Sequence, residues 1–310
     1  MKVLVTGGTG FVGTKVVERL IEQGHTPLIL DHHNRTISQR YALAAPPIET
    51  FYGDIRDDIT VEEAVSHADG VIHLAAVLGT QETIANPRPA AHTNILGSLN
   101  VFTAVHHYEL PAVYIAVGNH WMNNTYSISK TAAERFALMF NTELDTRIAV
   151  VRALNAYGPG QEPTAPWGTS KVRKIMPAFI CRALDKQPIE LYGDGEQITD
   201  MIHVRDVAAI LVDALTTERS DRLLYDTVLE AGTGRETSAN EIADRVIHAA
   251  GIGYVKHLPM RPGEPEQSIV LGDPTTLAPI GWDESRMIPL IDGVRETVDY
   301  FRERYFNDSE

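Results

Sequence analysis

Val3-Leu4-Val5-Thr6-Gly7-Gly8-Thr9-Gly10-Phe11-Val12-Gly13 is the stretch that decides the fold. It opens on a short apolar run suited to a buried strand. Three glycines follow at positions 7, 10 and 13, and from Phe11 onward Val12, Val16, Val17 and Leu20 recur at helical spacing. Strand, glycine turn and helix in this order form a dinucleotide fingerprint. One glycine permits the tight turn, one lets a pyrophosphate approach the backbone, and one lets helix and strand pack closely. The helix start offers its N–H groups to the phosphates. Gly7, Gly10, Phe11, Val12 and Gly13 are therefore the first cofactor-binding candidates.

The same texture continues outward. Apolar runs at Leu28 to Leu30, Ile48 to Tyr52, Val71 to Leu74, Val113 to Val117 and Ile148 to Val151 read as strands. Helical patterns over Thr60 to His67, Ile95 to Val105 and Ser127 to Phe140 lie between them. Strands alternating with helices imply an α/β fold, a doubly wound parallel sheet with helices on both faces. Ligands in such sheets bind beyond the carboxyl ends of the strands. Asp31 ends the second strand, where an acid accepts hydrogen bonds from ribose hydroxyls and repels a 2′-phosphate, favouring NAD over NADP; Arg35 nearby softens that preference. Asp54 and Ile55 follow the third strand as adenine contacts. Leu74, Ala75 and Ala76 follow the fourth and are small enough for a cofactor to lie across the strand ends.

After Tyr157 a Pro/Gly-rich stretch begins. The expected division is a dinucleotide-binding domain over 1–158, with a segment near 197–217 returning to it, and a smaller α/β substrate domain over 159–310. Lys plus Arg number 27 against 41 Asp plus Glu, a formal charge of −14 that argues against non-specific nucleic-acid binding. No apolar run reaches the roughly 18–20 residues of a membrane span. No secretory signal is read near Lys2, and the lone Cys181 excludes an intrachain disulfide, so a cytoplasmic location is expected. The histidine pairs His32-His33 and His106-His107 lack metal-site spacing, and no metal is expected.

Tyr126-Ser127-Ile128-Ser129-Lys130 places a tyrosine and a lysine four apart at a helix start, on one face. With 11 Tyr and seven Lys in 310 residues, chance supplies roughly 0.25 such pairs, so position after the fifth strand carries the reading. A tyrosine acting as acid and base needs its pKa of ~10 brought toward neutrality. A neighbouring ammonium and a cationic nicotinamide ring both favour the phenolate. Tyr126 and Lys130 are thus the catalytic candidates, and both lie where the cofactor is expected.

Taken together, TGGTGFVG at 6–13, HLAA at 73–76, YSISK at 126–130, Arg152 to Gly160, Gly193 to Gln197, Asp200 to Val207, Arg261 to Glu264 and Asp273 resemble one family over nearly the whole chain. It is the extended short-chain dehydrogenase/reductases, specifically the NAD-dependent epimerase/dehydratase family acting on nucleotide-diphosphate sugars. The resemblance implies a Rossmann domain that retains NAD. Tyr126 would remove a proton from a sugar hydroxyl while the carbon passes a hydride to the nicotinamide, and Lys130 would anchor the ribose and tune Tyr126. Asn155 would contact the substrate, and Arg261 would meet its nucleotide or diphosphate. Helices near 92–107 and 127–141 commonly form the four-helix bundle of a homodimer in this family. Phe136, Met139 and Phe140 are read equally as core or as dimer contact.

Two departures stand out. The family carries a Ser or Thr just after the fifth strand, whereas this strand runs Ala116-Val117-Gly118-Asn119-His120-Trp121. Asn119, His120 or Thr125 are candidates to replace it, as is Thr80 from the loop after the fourth strand. The acidic pair of the dehydratases is absent there too, which turns the expectation toward epimerisation at C4 and away from dehydration. A dehydrogenase or ketoreductase is the alternative within enzymes, and a catalytically silent NAD-binding protein the alternative outside them. The second departure is Thr199, which stands where the family has an arginine that grips the diphosphate. Arg205, Arg173 or Lys174 are the candidates to compensate, and Arg205 is taken as a substrate contact.

Overall fold

The computed structural model describes residues 1–32, 48–217, 223–260 and 267–306. Arg35, His33 and Arg261 with the rest of its 261–264 motif lie outside the described residues.

The chain forms two compact units. The first comprises Met1–Ala153, Val207–Ala231 and Thr275–Trp282, and the second Leu154–Asp206, Gly232–Pro274 and Asp283–Glu310. The first unit is built on β1 (Lys2–Thr6), β2 (Thr26–Asp31), β3 (Glu49–Tyr52), β4 (Gly70–His73), β5 (Pro111–Val117), β6 (Arg147–Ala153) and β11 (Val228–Ala231). They make one seven-stranded sheet in the order β11-β6-β5-β4-β1-β2-β3. Every pairing in it is parallel. The order reverses between β1 and β4, and such a switch point opens a crevice beyond the strand ends. The strands are short, and the central β1 and β4 are almost wholly buried because helices cover both faces.

Helix α1 (Phe11–Glu22) follows β1 and buries Gly13, Val16, Val17 and Leu20. Burying each of those larger aliphatic side chains stabilises the unit by about 1.5–3 kcal/mol before entropy is counted. Helix α2 (Asp58–Ser66) precedes β4. The helix read over Ile95 to Val105 is longer and less regular than its pattern predicts. A single turn, α3 (Arg88–Ala90), runs into a π-helical segment over Ala91–Gly97 and then into α4 (Ser98–His107). Helix α5 (Thr125–Leu144) starts where the Asn124 side chain accepts a hydrogen bond from Ser127 N–H, and stops at Asp145 in left-handed conformation. Phe140 packs in the core, whereas Phe136 and Met139 on the same helix are 36% and 37% exposed, so the core reading holds for Phe140 and not for the other two.

Among the described residues the second unit holds short strands and three longer helices. β7 (Asn155–Tyr157) pairs with β10 (Met201–His203), and β8 (Ile189–Tyr192) with β13 (Val255–Leu258), both parallel. β9 (Ile198–Thr199) sits between β12 (Thr237–Ser238) and β14 (Ile269–Val270). Helices over Ile175–Leu184, Ala239–Ala250 and Leu290–Tyr305 cover a core of Tyr157, Met176, Ile180, Leu191, Ile242 and Phe301. Among the described residues no helix is long and apolar enough to cross a membrane.

Candidate active site

The glycine turn is fixed by close approach. Gly7 has φ +71°, and a Cβ there would lie 3.0 Å from the backbone of Ala75. A Cβ on Gly13 would lie 2.3 Å from the Gly7 carbonyl and 2.8 Å from Gly8 Cα. A side chain at Gly7 would force the turn after β1 away from the strand end after β4, and one at Gly13 would force α1 away from that turn. Gly10 precedes α1 with no side-chain cap. An uncapped helix start beside a glycine turn suits a pyrophosphate.

Asp31 ends β2 and is buried. Its Oδ2 accepts from Thr9 N–H at 3.2 Å and Thr9 Oγ1 at 2.6 Å, and its Oδ1 from His32 N–H at 2.8 Å. The acid is thus tethered to the glycine turn that precedes α1. Arg56 grips Asp54 through Nε at 3.0 Å and Nη2 at 2.7 Å, and those bonds hold its carboxyl below the usual carboxylate range. Ile55 is buried in the core, where a Cβ on Gly97 would meet it at 2.8 Å. Leu74, Ala75 and Ala76 are half-buried past β4. The turn, the uncapped helix start and the acid at the end of β2 form a donor and acceptor set that fits a dinucleotide.

Tyr126 and Lys130 lie in the first two turns of α5. Lys130 is 2% exposed, and its Nζ sits over the Tyr114 ring at 4.1 Å from the centroid. Tyr114 in turn donates from its hydroxyl to the Lys130 carbonyl at 3.1 Å. Burial pushes the lysine down to about 7 against an opposing pull from the Glu134 carboxylate. Burial pushes the Tyr126 hydroxyl up to about 12. Bringing such a hydroxyl to neutrality takes about 7 kcal/mol at 1.36 per pKa unit. One unit charge at 4–6 Å contributes about 3–4 kcal/mol at an effective dielectric of 20. A single cation beside Tyr126 therefore falls short, so an acid/base role would need two, such as a charged Lys130 and the cationic ring of an oxidised nicotinamide.

A buried polar chain runs toward these residues. Thr6 Oγ1 accepts from Leu74 and Ala75 N–H at 3.2 Å each, so its own proton goes to His73 Nδ1 at 2.7 Å. His73 Nε2–H then donates to Ser98 Oγ at 2.9 Å, and Ser98 to the Asn94 carbonyl at 2.7 Å. This direction of donation requires a neutral imidazole, and burial together with the Lys130 charge lowers His73 to about 3. Asn94, on the π-helical segment, exchanges bonds with Val77 N–H and carbonyl at 2.7 and 3.0 Å and donates to Ser129 Oγ at 2.9 Å. Ser129 donates to the Tyr126 carbonyl at 3.0 Å. Of this chain Thr6, His73 and Ser129 lie in motifs singled out from the sequence. Asn94 and Ser98 carry no signal that spacing would reveal.

The loop after β5 offers amide and imidazole groups in place of a hydroxyl. Asn119 is half-buried, accepts from Ser127 Oγ at 3.3 Å and donates to Met122 Sδ at 3.2 Å. His120 Nδ1 bonds the Gly118 carbonyl at 3.2 Å. Thr125 is the first residue of α5, and Thr80 is half-buried after β4. In the second unit the Asn155 side chain donates to Thr199 Oγ1, joining the expected substrate residue to the departure at 199. Arg205 pairs with Glu296, and Arg173 with Glu190 at 3.2 Å. Both arginines therefore already have carboxylate partners within their own unit.

The sequence profile of the "NAD dependent epimerase/dehydratase family" matches residues 3–122 and 119–225. A putative UDP-glucose 4-epimerase of Methanocaldococcus jannaschii is 28% identical, over 97% of this chain and 98% of that protein. A dTDP-glucose 4,6-dehydratase of Streptomyces antibioticus is 26% identical, over 98% and 93% respectively. The crystal structure of a Thermus thermophilus UDP-glucose 4-epimerase in complex with NAD superimposes with a TM-score of 0.82 at 28% identity, covering 98% of this chain and 100% of that one. A parallel sheet with its switch point at a glycine turn, an acid closing β2, and a tyrosine and lysine sharing one helix face agree with that match, and the chain belongs to the NAD-dependent epimerase/dehydratase family.

Proposed function

We propose that this chain is an NAD-dependent epimerase of a nucleotide-diphosphate sugar, acting at C4 through a transient ketosugar. The observation that carries the reading is Lys130, buried one helical turn from Tyr126 in the unit that bears the dinucleotide turn. Gly7, Gly10, Gly13 and Asp31 would hold NAD, which when bound supplies a reversible two-electron acceptor. Tyr126 takes the proton of the reacting hydroxyl as the alcohol becomes a ketone, and returns it when the alcohol re-forms on the other face. Lys130 supplies one of the two positive charges that this ionisation needs. Asn155, Arg205 and Arg261 are assigned to the substrate on the family resemblance, with Asn119 and Thr80 as candidates for the reacting hydroxyl's second contact.

A dehydratase also needs an acid to protonate the departing hydroxyl. Gly118, Asn119 and His120 bring no carboxylate to the loop after β5, which favours epimerisation. We further read the protein as a cytoplasmic homodimer. Leu96, Ile128, Phe136 and Met139 are exposed along the Ala91–Gly97 segment and α5, an apolar face suited to a second copy. Cys181 is buried and unpaired, as suits a reducing compartment.

The test is chromatography with mass detection after incubating the purified protein and NAD with UDP-, dTDP-, GDP- and CDP-sugars. The expected result is a new peak of unchanged mass from one of them. A product lighter by two hydrogens would make the chain a dehydrogenase, and one lighter by a water a dehydratase. No product from any sugar, with Tyr126→Phe equally silent, would favour a non-catalytic NAD-binding protein.

A further inference from the structure

Glu134 is almost fully buried on α5, four residues beyond Lys130 and eight beyond Tyr126, so all three share one face of the helix. Arg152 on β6 grips it with two parallel bonds, Nη2 to Oε1 at 2.6 Å and Nε to Oε2 at 3.0 Å. Arg152 also reaches Glu230 on β11 through Nη1 at 3.2 Å. Two carboxylates thus share one guanidinium, and the group carries a net charge of −1. The side chains of Glu134, Arg152 and Glu230 are 4%, 17% and 22% exposed.

Stability alone does not account for such a group. Desolvating these charges costs several kcal/mol per ion, and a buried pair exchanged for apolar residues of similar volume is often neutral or stabilising. Its position does account for it. Lys130 loses its water to burial, and its nearest aromatic wall is Tyr114. Among the described residues, the groups that interact with it are His73 from β4, Tyr114 from β5, and Glu134 from its own helix, with Tyr126 on the same helix face. His73 is neutral, both tyrosines are protonated at neutral pH, and Asn94 of the neighbouring π-helical segment is uncharged. Glu134 is the one anion among them. Arg152 fixes its direction, and Glu230 keeps the guanidinium from cancelling it.

We propose that Glu134, Arg152 and Glu230 are positioning residues that hold Lys130 as an ammonium beside Tyr126. The inference rests on the catalytic reading of Tyr126 and Lys130 for its purpose. Its physical content is tested without a sugar.

The measurement is the titration of Lys130 in the full chain, with lysines labelled at 13Cε and the signal assigned by its loss in Lys130→Met. Glu134→Gln should lower the midpoint by about 0.5–1 pH unit, a three- to tenfold loss of proton affinity. Arg152→Met should raise it by a similar amount, because it exposes Lys130 to uncompensated carboxylates. Glu230→Gln should lower it by less than Glu134→Gln. Opposite signs for Glu134→Gln and Arg152→Met are a result that a mere helix-to-sheet tie would not give. Shifts of the same sign, or none above about 0.2 unit, would overturn the proposal. Should the two buried variants fail to fold, Glu230→Gln decides it: a fall supports the assignment and an unmoved midpoint rejects it. A chain silent on every sugar would sink the epimerase reading and leave this titration as it stands.

Discussion

Each of the two units holds a network of buried polar groups, and the two networks are built in opposite ways. In the first, the work is spread along a chain of neutral partners, Thr6 to His73 to Ser98 to Asn94 to Ser129, each making one or a few bonds and passing direction to the next. In the second, one carboxylate gathers the donors. Asp200 is fully buried between β9 and β10 and accepts from Thr233 N–H, Thr233 Oγ1, Gly234 N–H and Gly272 N–H at 2.6–3.2 Å. Strands and helices carry the first arrangement, so its groups sit where regular elements put them. The second joins loops that no regular element would hold. A change in the chain of neutral groups should therefore be felt mainly as altered chemistry at Tyr126 and Lys130, and a change at Asp200 mainly as lost order around Asn155 and Thr199.

The largest effect expected on the first side is chemical. Tyr126→Phe removes the hydroxyl proposed to exchange the substrate proton, and turnover should fall 10²- to 10⁴-fold, the usual span for general acid–base groups. NAD affinity and thermal stability should stay close to wild type, since a half-buried ring of the same shape remains. Isothermal titration with NAD beside the mass-detected assay checks both halves. Retained turnover in this variant would remove the reading of the first unit as the chemical one.

Asp200→Asn tests the other side. The substitution keeps the shape but turns one acceptor into a donor that faces backbone N–H groups. Losing bonds to an ionised acceptor, with a buried N–H left unmet, should cost about 3 kcal/mol. Urea unfolding should show that loss in the second unit's signal, followed through Trp167, the only tryptophan it holds. A loss below about 1 kcal/mol would mean that the loops are held by something other than this carboxylate.

His73 gives a smaller effect with a defined sign. Its folded value of about 3 lies below the ordinary 6.5, so the unfolded chain binds the proton more readily. The stability this contributes is complete above pH 6.5 and is lost as pH falls toward 3, by up to about 1.4 kcal/mol per pH unit. His73→Gln should flatten the acid limb of a denaturation series between about pH 6 and 4. An unchanged slope would mean that His73 is not the neutral member of the chain.

The same contrast explains what the sequence shows and hides. The glycine turn is legible because the reason is local: Gly7 and Gly13 have no room for a Cβ. The Tyr126–Lys130 pair is legible because i, i+4 spacing becomes one helix face wherever a helix forms. The π-helical segment over Ala91–Gly97 is hidden, because a π turn differs from an α turn by one residue and no residue type marks it. Glu134 and Arg152 are 18 positions apart, and Asn155 and Thr199 are 44 apart; sheet register and loop closure bring them together, and neither is written in a window of neighbours. β9, β12 and β14 have two residues each, too short for any period to show. Asp200 lies in a motif that points to the family, yet its partners are mostly backbone N–H groups, which every residue but proline has.

The smallest of these effects falls where the contrast is narrowest, at a carboxylate in the first unit. Asp31 resembles Asp200 in accepting several donors, and at each acid one threonine supplies two of the bonds, Thr9 here and Thr233 there. The Thr9 bonds fix Oδ2 against the glycine turn, and the direction of Oδ1 follows from them. Thr9→Val keeps the volume and the backbone bond while removing the hydroxyl bond, which contributes about 1–2 kcal/mol net for an ionised acceptor. A less firmly held carboxylate loses more entropy on meeting the ribose hydroxyls, so NAD affinity should drop about fivefold. NADP gains nothing, because the charge that repels its 2′-phosphate stays in place. Titration of both cofactors checks this: a loss confined to NAD would show that Thr9 orients Asp31 for the ribose. An equal loss for both would place the effect of Thr9 on the turn itself, and the first unit would then hold its cofactor acid as the second holds Asp200, by gathering loops.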